Sequence, residues 1–193
     1  MTQALYYATD FADRLEHEMI PALRAGYVVL TDRYVYSLIA RATVRGMSGE
    51  WLRKVYGFAI RPSAVYYLAI SVPKLVPRVL ASGGFDYWEA GADYIAAGDL
   101  YDCFVQHQTA LLRQFDHMTE EFGFTVVDAS RSIEETFDTL QREVAEVVKD
   151  ISPITPGRLV PEFMVDTPTP SRPADSLADL LAEFLSSLDK GDG

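Results

Sequence analysis

Three short apolar runs divide this chain, and the stretches between them show the three- and four-residue apolar spacing of helices. The runs are residues 27–31 (YVVLT), 64–71 (AVYYLAIS) and 124–130 (FTVVDAS). The second shows no clean alternation of apolar and polar residues, the pattern of a strand covered on both faces of a sheet. Strands that alternate with helices in this way predict an α/β layered domain around a parallel sheet. The first run ends abruptly in Asp32 and Arg33, an acid and a base at a strand tip. In open parallel sheets that end of a strand is where ligands bind, so the pair is a candidate site as well as a candidate surface ion pair.

Helices are expected at 3–24, with Leu5, Ala8, Ala12, Leu15, Met19 and Leu23 on one stripe and Gly26 as its breaker, and at 36–45. Ser48 predicts the cap of a short helix carrying Trp51, Leu52 and Val55, and Pro73 the first turn of a helix through 80. A long helix is expected at 100–122, and Ser132 with Glu135 has the spacing of a capping box opening a helix to 149. Residues 82–99, rich in glycine and aromatics and without a basic residue, read as a mobile loop or lid. From 151 to 175 prolines predict an extended linker, and 176–193 places Leu177, Leu180, Leu181, Phe184, Leu185 and Leu188 on one stripe of an acidic tail helix. Its acidic face does not suit a membrane surface.

Composition narrows the function classes. A single cysteine, Cys103, excludes an internal disulfide framework and a cysteine zinc site, and His17, His107 and His117 show no metal-ligand spacing. With no signal-peptide pattern at the start and no membrane-length apolar run, the reading is a reducing, cytoplasmic location without a membrane partner. A net charge of −11 argues against nucleic acid. Within that acidic chain, residues 33–61 carry Arg33, Arg41, Arg45, Arg53, Lys54 and Arg61 against Glu50 alone. Such a stretch is either a solvated helix face or a place to hold a small anion.

The stretch "YYATDFADRLEHEMIPALRAGYVVLTDRYVYS" resembles the part of thymidylate kinases that runs from the nucleoside-binding helix through the strand ending in Asp-Arg-Tyr. The elements that follow are similar in order: a helix, the strand AVYYLAI with a proline-started helix, a lid-like loop, a long helix with YDCFVQHQTALLRQF, and VVDASRSIEE. The likeness covers residues 4–149. It implies a three-layer parallel sheet of the P-loop kinase type in residues 1–150. It also implies ATP-dependent phosphorylation, with Mg²⁺, of dTMP or a related nucleoside monophosphate. Arg33 would bind the acceptor phosphate, a task suited to a planar guanidinium, and Asp32 would orient the metal or its waters. Tyr7 stands where the family stacks an aromatic on the base. Tyr34 and Ser37 would line the acceptor pocket, and Asp128, Ala129 and Ser130 would form the adenine-side loop. A homodimer is a further implication of the resemblance.

The sequence also departs from the pattern. No G-x-x-x-x-G-K-[ST] occurs in it, the loop whose amides and lysine hold the donor phosphates in this family. The expected sheet is therefore incomplete, with the central P-loop strand missing, to be supplied by a longer chain or an upstream polypeptide. Phe11 occupies the substrate-side position where the family usually has a base-reading arginine. Between Arg78 and Arg113 no arginine or lysine is present to serve as a lid cation. The rival reading is a non-catalytic interaction protein built on a degenerate kinase fold.

Overall fold

The computed structural model describes residues 1–96 and 98–151, so the expected linker and tail helix lie outside the described residues. Helix α1 spans Thr2–Arg14 and passes through a π turn, Leu15–Met19, into α2, Ile20–Arg24. Pro21 accounts for that turn. It has no N–H to donate and its ring crowds the carbonyl four residues back, and the wider turn, with the Ile20 amide reaching Leu15 O, makes room for it. Helices α3, Val35–Val44, and α4, Gly49–Val55, follow. Ser48 caps α4 as expected, its Oγ accepting from the Trp51 amide at 3.3 Å.

Strand β1, Tyr66–Ala69, leads into α5, Val72–Ala81. The long helix α6, Leu100–Phe122, starts on the Asp99 carboxylate and stops at Gly123, whose φ of 71° needs no Cβ-bearing residue. Strand β2, Thr125–Asp128, pairs in parallel with β1, Tyr66 opposite Thr125 and Ala69 opposite Asp128. The predicted capping box then opens α7, Ile133–Val148, with both reciprocal bonds made.

Two expectations are corrected. Residues 27–31 form no strand, and among the described residues the sheet has two strands rather than three. A strand needs a neighbour for its N–H and C=O groups, and none of the described residues supplies one; Leu30 is 83 % exposed. The buried stripe of α1 is also rotated from the expected one. Ala4, Ala8, Phe11 and Leu15 face the core, whereas Leu5 and Leu23 are exposed. Phe11 rather than Ala12 decides the facing because burying a ring removes far more apolar surface from water than burying a methyl.

The main core joins that stripe to Val35, Ile39 and Ala40 of α3, Leu52 and Tyr56, and Leu111 and Met118 of α6. A second, smaller core of Ala90, Cys103 and Phe104 takes in Leu75, Val79, Phe85 and Ile95. The 82–99 loop is therefore packed onto α5 and α6 through its apolar residues rather than standing free. No helix among the described residues is long and apolar enough to cross a membrane.

Leu52 is fully buried where α4 meets the main core. Leu52→Ala is expected to cost about 2–5 kcal/mol, through lost transfer energy and the cavity left behind. Urea denaturation should show the midpoint falling with an unchanged slope.

Candidate functional site

Phe11 and Tyr34 position the first group of site residues. The Phe11 ring, 4 % exposed, meets Tyr34 edge-on with centroids 5.2 Å apart and also touches Phe58 and Tyr56. Tyr34 is the N-cap residue of α3, and its hydroxyl donates to Ile60 O at 2.7 Å. Burial raises its phenol pKa, with Tyr36 adding to the effect, so Tyr34 is a fixed donor at neutral pH. The aromatic contact therefore clamps α1 to the start of α3. One turn before Phe11, Tyr7 presents its ring to solvent, 44 % exposed.

Arg33, just before that cap, has φ +67°, the left-handed region that a residue with a Cβ enters at a cost of about 1 kcal/mol or more. Asp32 and Arg33 are both exposed and, among the described residues, form no ion pair with each other or with any other side chain. Ser37 is half-buried, its Oγ donating to Tyr34 O at 2.9 Å. It is committed to the first turn of α3 and lies behind the exposed residues. Tyr7, Asp32 and Arg33 are thus open to a ligand, while Phe11, Tyr34 and Ser37 support them from inside.

The second group lies at the carboxyl ends of the strands. Asp128 closes β2, and its Oδ1 accepts from the Ser130 amide at 2.9 Å. Hydrogen bonds from Ser130 hold its carboxyl below the usual range. Ala129 is locked by its neighbours, its amide donating to Ala69 O at 2.9 Å and its carbonyl accepting from Arg78 Nη1 at 2.8 Å. Asp128 and Ser130 line an open cleft of about 340 Å³ with Tyr67, Ile70, Ser71, Lys74 and Asp116. Burial, with the Asp116 carboxylate, pushes the Tyr67 phenol up to about 12. The cleft lies on this side of the molecule; Tyr7 and Arg33 do not line it.

A third constellation joins the 82–99 loop to α3 and α6. Arg45 donates from Nε and Nη2 to the two oxygens of Asp93 at 2.9 and 3.0 Å, and from Nη2 to Trp88 O at 3.1 Å. Its guanidinium lies 5.2 Å from the centre of the Tyr94 ring, and the Tyr94 hydroxyl is 2.8 Å from His107 Nδ1. His107 is 2 % exposed, and its pKa is lowered to about 4, chiefly by burial and then by the Arg45 and Arg41 charges. Gly91 closes the arrangement: its φ is +68°, and a Cβ there would lie 2.8 Å from the His107 ring. Sequence reasoning took this loop for a mobile lid. The signal it passed over was Asp93 and Tyr94 beside a glycine, in reach of a basic helix.

As for a metal, no cluster of three or more histidine, cysteine or carboxylate residues exists among the described residues. Asp32 offers one exposed carboxylate, which fits magnesium only in its usual manner of one or two carboxylates completed by substrate phosphates and water. For the donor phosphates the fit fails, since the sequence holds no loop of the required kind.

Helices around a parallel strand pair define an α/β protein, and among the described residues Arg33 stands exposed and unpaired just before α3. The family model for thymidylate kinase matches residues 1–140, and the chain belongs to that family. It is 31 % identical over 150 residues to a probable thymidylate kinase 2 of Saccharolobus solfataricus, covering 77 % of this chain and 70 % of that protein. It is 30 % identical over 139 residues to a probable thymidylate kinase of Pyrococcus abyssi, covering 72 % of this chain and 62 % of that one. A third relative, a probable thymidylate kinase of Caldivirga maquilingensis, is 27 % identical over 133 residues, 58 % of its length.

Because the native state holds His107 neutral down to about pH 4, the unfolded chain binds the extra proton between there and the ordinary value of 6.5. The stability of the wild type should therefore fall as pH drops through that window, by up to a few kcal/mol. In paired urea titrations from pH 7 to 4.5, His107→Gln should lose visibly less stability than the wild type.

Proposed function

We propose that this chain carries the acceptor-binding part of a nucleoside monophosphate kinase of the dTMP kinase type. The observation that carries the reading is Arg33: exposed, unpaired among the described residues and held in a left-handed backbone conformation beside the clamped start of α3. Strain of this kind persists where the surroundings over-determine it, and it is concentrated at ligand sites. The family membership and the relatives' names support the same reading.

In this reading Arg33 grips the monophosphate through a forked pair of hydrogen bonds, and the exposed face of Tyr7 takes the base. Phe11, with no polar atom and almost no exposed surface, cannot read the base, so dTMP and its close relatives would be separated by other contacts. An oxygen of the acceptor phosphate attacks the γ-phosphorus of ATP as the bond to the β–γ bridging oxygen breaks, yielding a nucleoside diphosphate and ADP. Magnesium, when bound with the nucleotide, supplies charge neutralisation at the transferring phosphoryl group. The chain's own contribution is to fix the acceptor in line, by Arg33, and to offer Asp32 towards the metal or its waters. Asp128–Ser130 and the cleft beside them would flank the adenine side.

The donor phosphates would be held by a segment outside these 193 residues, in a longer chain or a separate polypeptide. The exposed apolar side chains of Val28, Leu30, Leu68, Val126, Ile133 and Phe137 support that arrangement, since a strand and helix laid there would remove them from water. Whether two copies of the protein associate belongs to the same proposal.

Calorimetric titration of the full chain with dTMP, dUMP and thymidine tests it. dTMP should bind, and Arg33→Ala should weaken it by at least about tenfold while leaving thymidine unchanged. If no monophosphate binds, the kinase reading fails; if Arg33→Ala binds dTMP as tightly as the wild type, the phosphate assignment fails.

A further inference from the structure

Among the described residues His107 is the only buried residue that is polar or charged, and the proposed acceptor site makes no use of it. It lies on α6, and the 82–99 loop is folded over it. The Tyr94 hydroxyl stands 2.8 Å from Nδ1, and the two rings meet edge-on with centroids 5.6 Å apart. Gly91 comes so close that a Cβ there would lie 2.8 Å from the imidazole and from the Tyr94 ring. Polar bonds tie the loop down around this point. Arg45 binds both Asp93 oxygens and Trp88 O, Gln108 Nε2 donates to Glu89 O at 3.1 Å, and the Cys103 thiol donates to Ile95 O at 3.5 Å. The apolar attachment of the loop is small. Ala90 packs with Cys103 and Phe104 in a core of its own, whereas Leu111 and Met118 of the same helix belong to the main core.

A charged imidazole finds no partner in this setting. The loop offers the Asp93 carboxylate, but both of its oxygens are bound by Arg45. The loop also offers the Tyr94 phenol, which burial keeps neutral. From α3 come only the like charges of Arg45 and Arg41, and residues 103–111 of α6 carry no ionised side chain. On the α5 side the second core supplies Leu75 and Val79, both apolar. A proton on His107 would therefore be a buried cation beside guanidinium groups, with no free counter-ion. Lifting the loop relieves it, since water then reaches the ring. We infer that His107 is a proton-operated latch on the 82–99 loop: neutral, it holds the loop on α3 and α6, and protonated, it releases the loop while the main core stays folded. The docked ring takes a proton only at about pH 4, whereas a ring opened to water takes it near the ordinary 6.5. Docking is thus at full strength above that window and weakens as the pH falls through it. Opening is local because the loop has little apolar contact to lose, and segments of that kind open first.

The latch is independent of the acceptor reading, and its test needs no ligand. Amide hydrogen exchange of the full chain is compared at pH 7 and pH 5, after correction for the intrinsic pH dependence of exchange. In the wild type, protection of peptides covering 86–95 should fall by at least about tenfold between the two, while 111–122 in the main core stays protected. His107→Gln takes no proton, so protection of its loop should change little over the same range. Gly91→Ala, whose methyl meets both rings, should show an open loop already at pH 7 and little further loss at pH 5; this arm stands even where His107→Gln fails to fold. A wild-type loop that keeps its protection at pH 5 overturns the latch. So does loss of 86–95 and 111–122 together, which is global unfolding, or a His107→Gln loop that opens as much as the wild type's. A Gly91→Ala loop as protected as the wild type's at pH 7 also overturns it, since the close approach would then hold nothing.

Discussion

The contact between Phe11 and Tyr34 is what the rest of the site depends on. It fastens the first helix to the cap of α3, and the bond from Tyr34 to Ile60 O fixes that cap from the other side. Just before that cap Arg33 sits in the left-handed region with its side chain outside the core. An edge-on pair of rings contributes about 0.5–1.5 kcal/mol beyond the area it buries, comparable to the cost of the left-handed conformation beside it. On the same helix Phe11 faces inward and Tyr7 outward, so the residue proposed to take the base stands one turn from the one that packs the core.

The docked loop plays the matching part at the other end of α3. Arg45, Asp93, Tyr94 and His107 form one connected polar network, with Gly91 giving the close approach that His107 requires. A buried network is worth having only when its members are satisfied, and the buried His107 ring meets the Tyr94 hydroxyl at 2.8 Å, with burial and the Arg45 and Arg41 charges favouring the neutral imidazole. The result is a loop held onto α3 and α6 by its own contacts.

Much of this was legible in the sequence, and the misses have definite physical reasons. The capping residues Ser48 and Ser132, the proline-started α5 and the limits of α6 followed from local chemistry, and the structure has them. Residues 27–31 carry a strand's composition, yet a strand is a paired object and composition does not supply the pair. On α1 the apolar spacing allowed two stripes, and only the partner surface chose the one with Phe11. Asp32 and Arg33 stood out because charge at the end of an apolar run is conspicuous. Asp93 and Tyr94 did not, because only the fold brings them to Arg45 and His107.

The central claim is that the acceptor binds at the start of α3, between Arg33 and the exposed face of Tyr7. Amide hydrogen exchange of the full chain, with and without saturating dTMP, tests that most directly. The account predicts slower exchange in peptides covering 5–11 and 32–38, with little change in α7. Protection confined to the cleft beside Asp128 and Ser130, or no protection at either place, would contradict it.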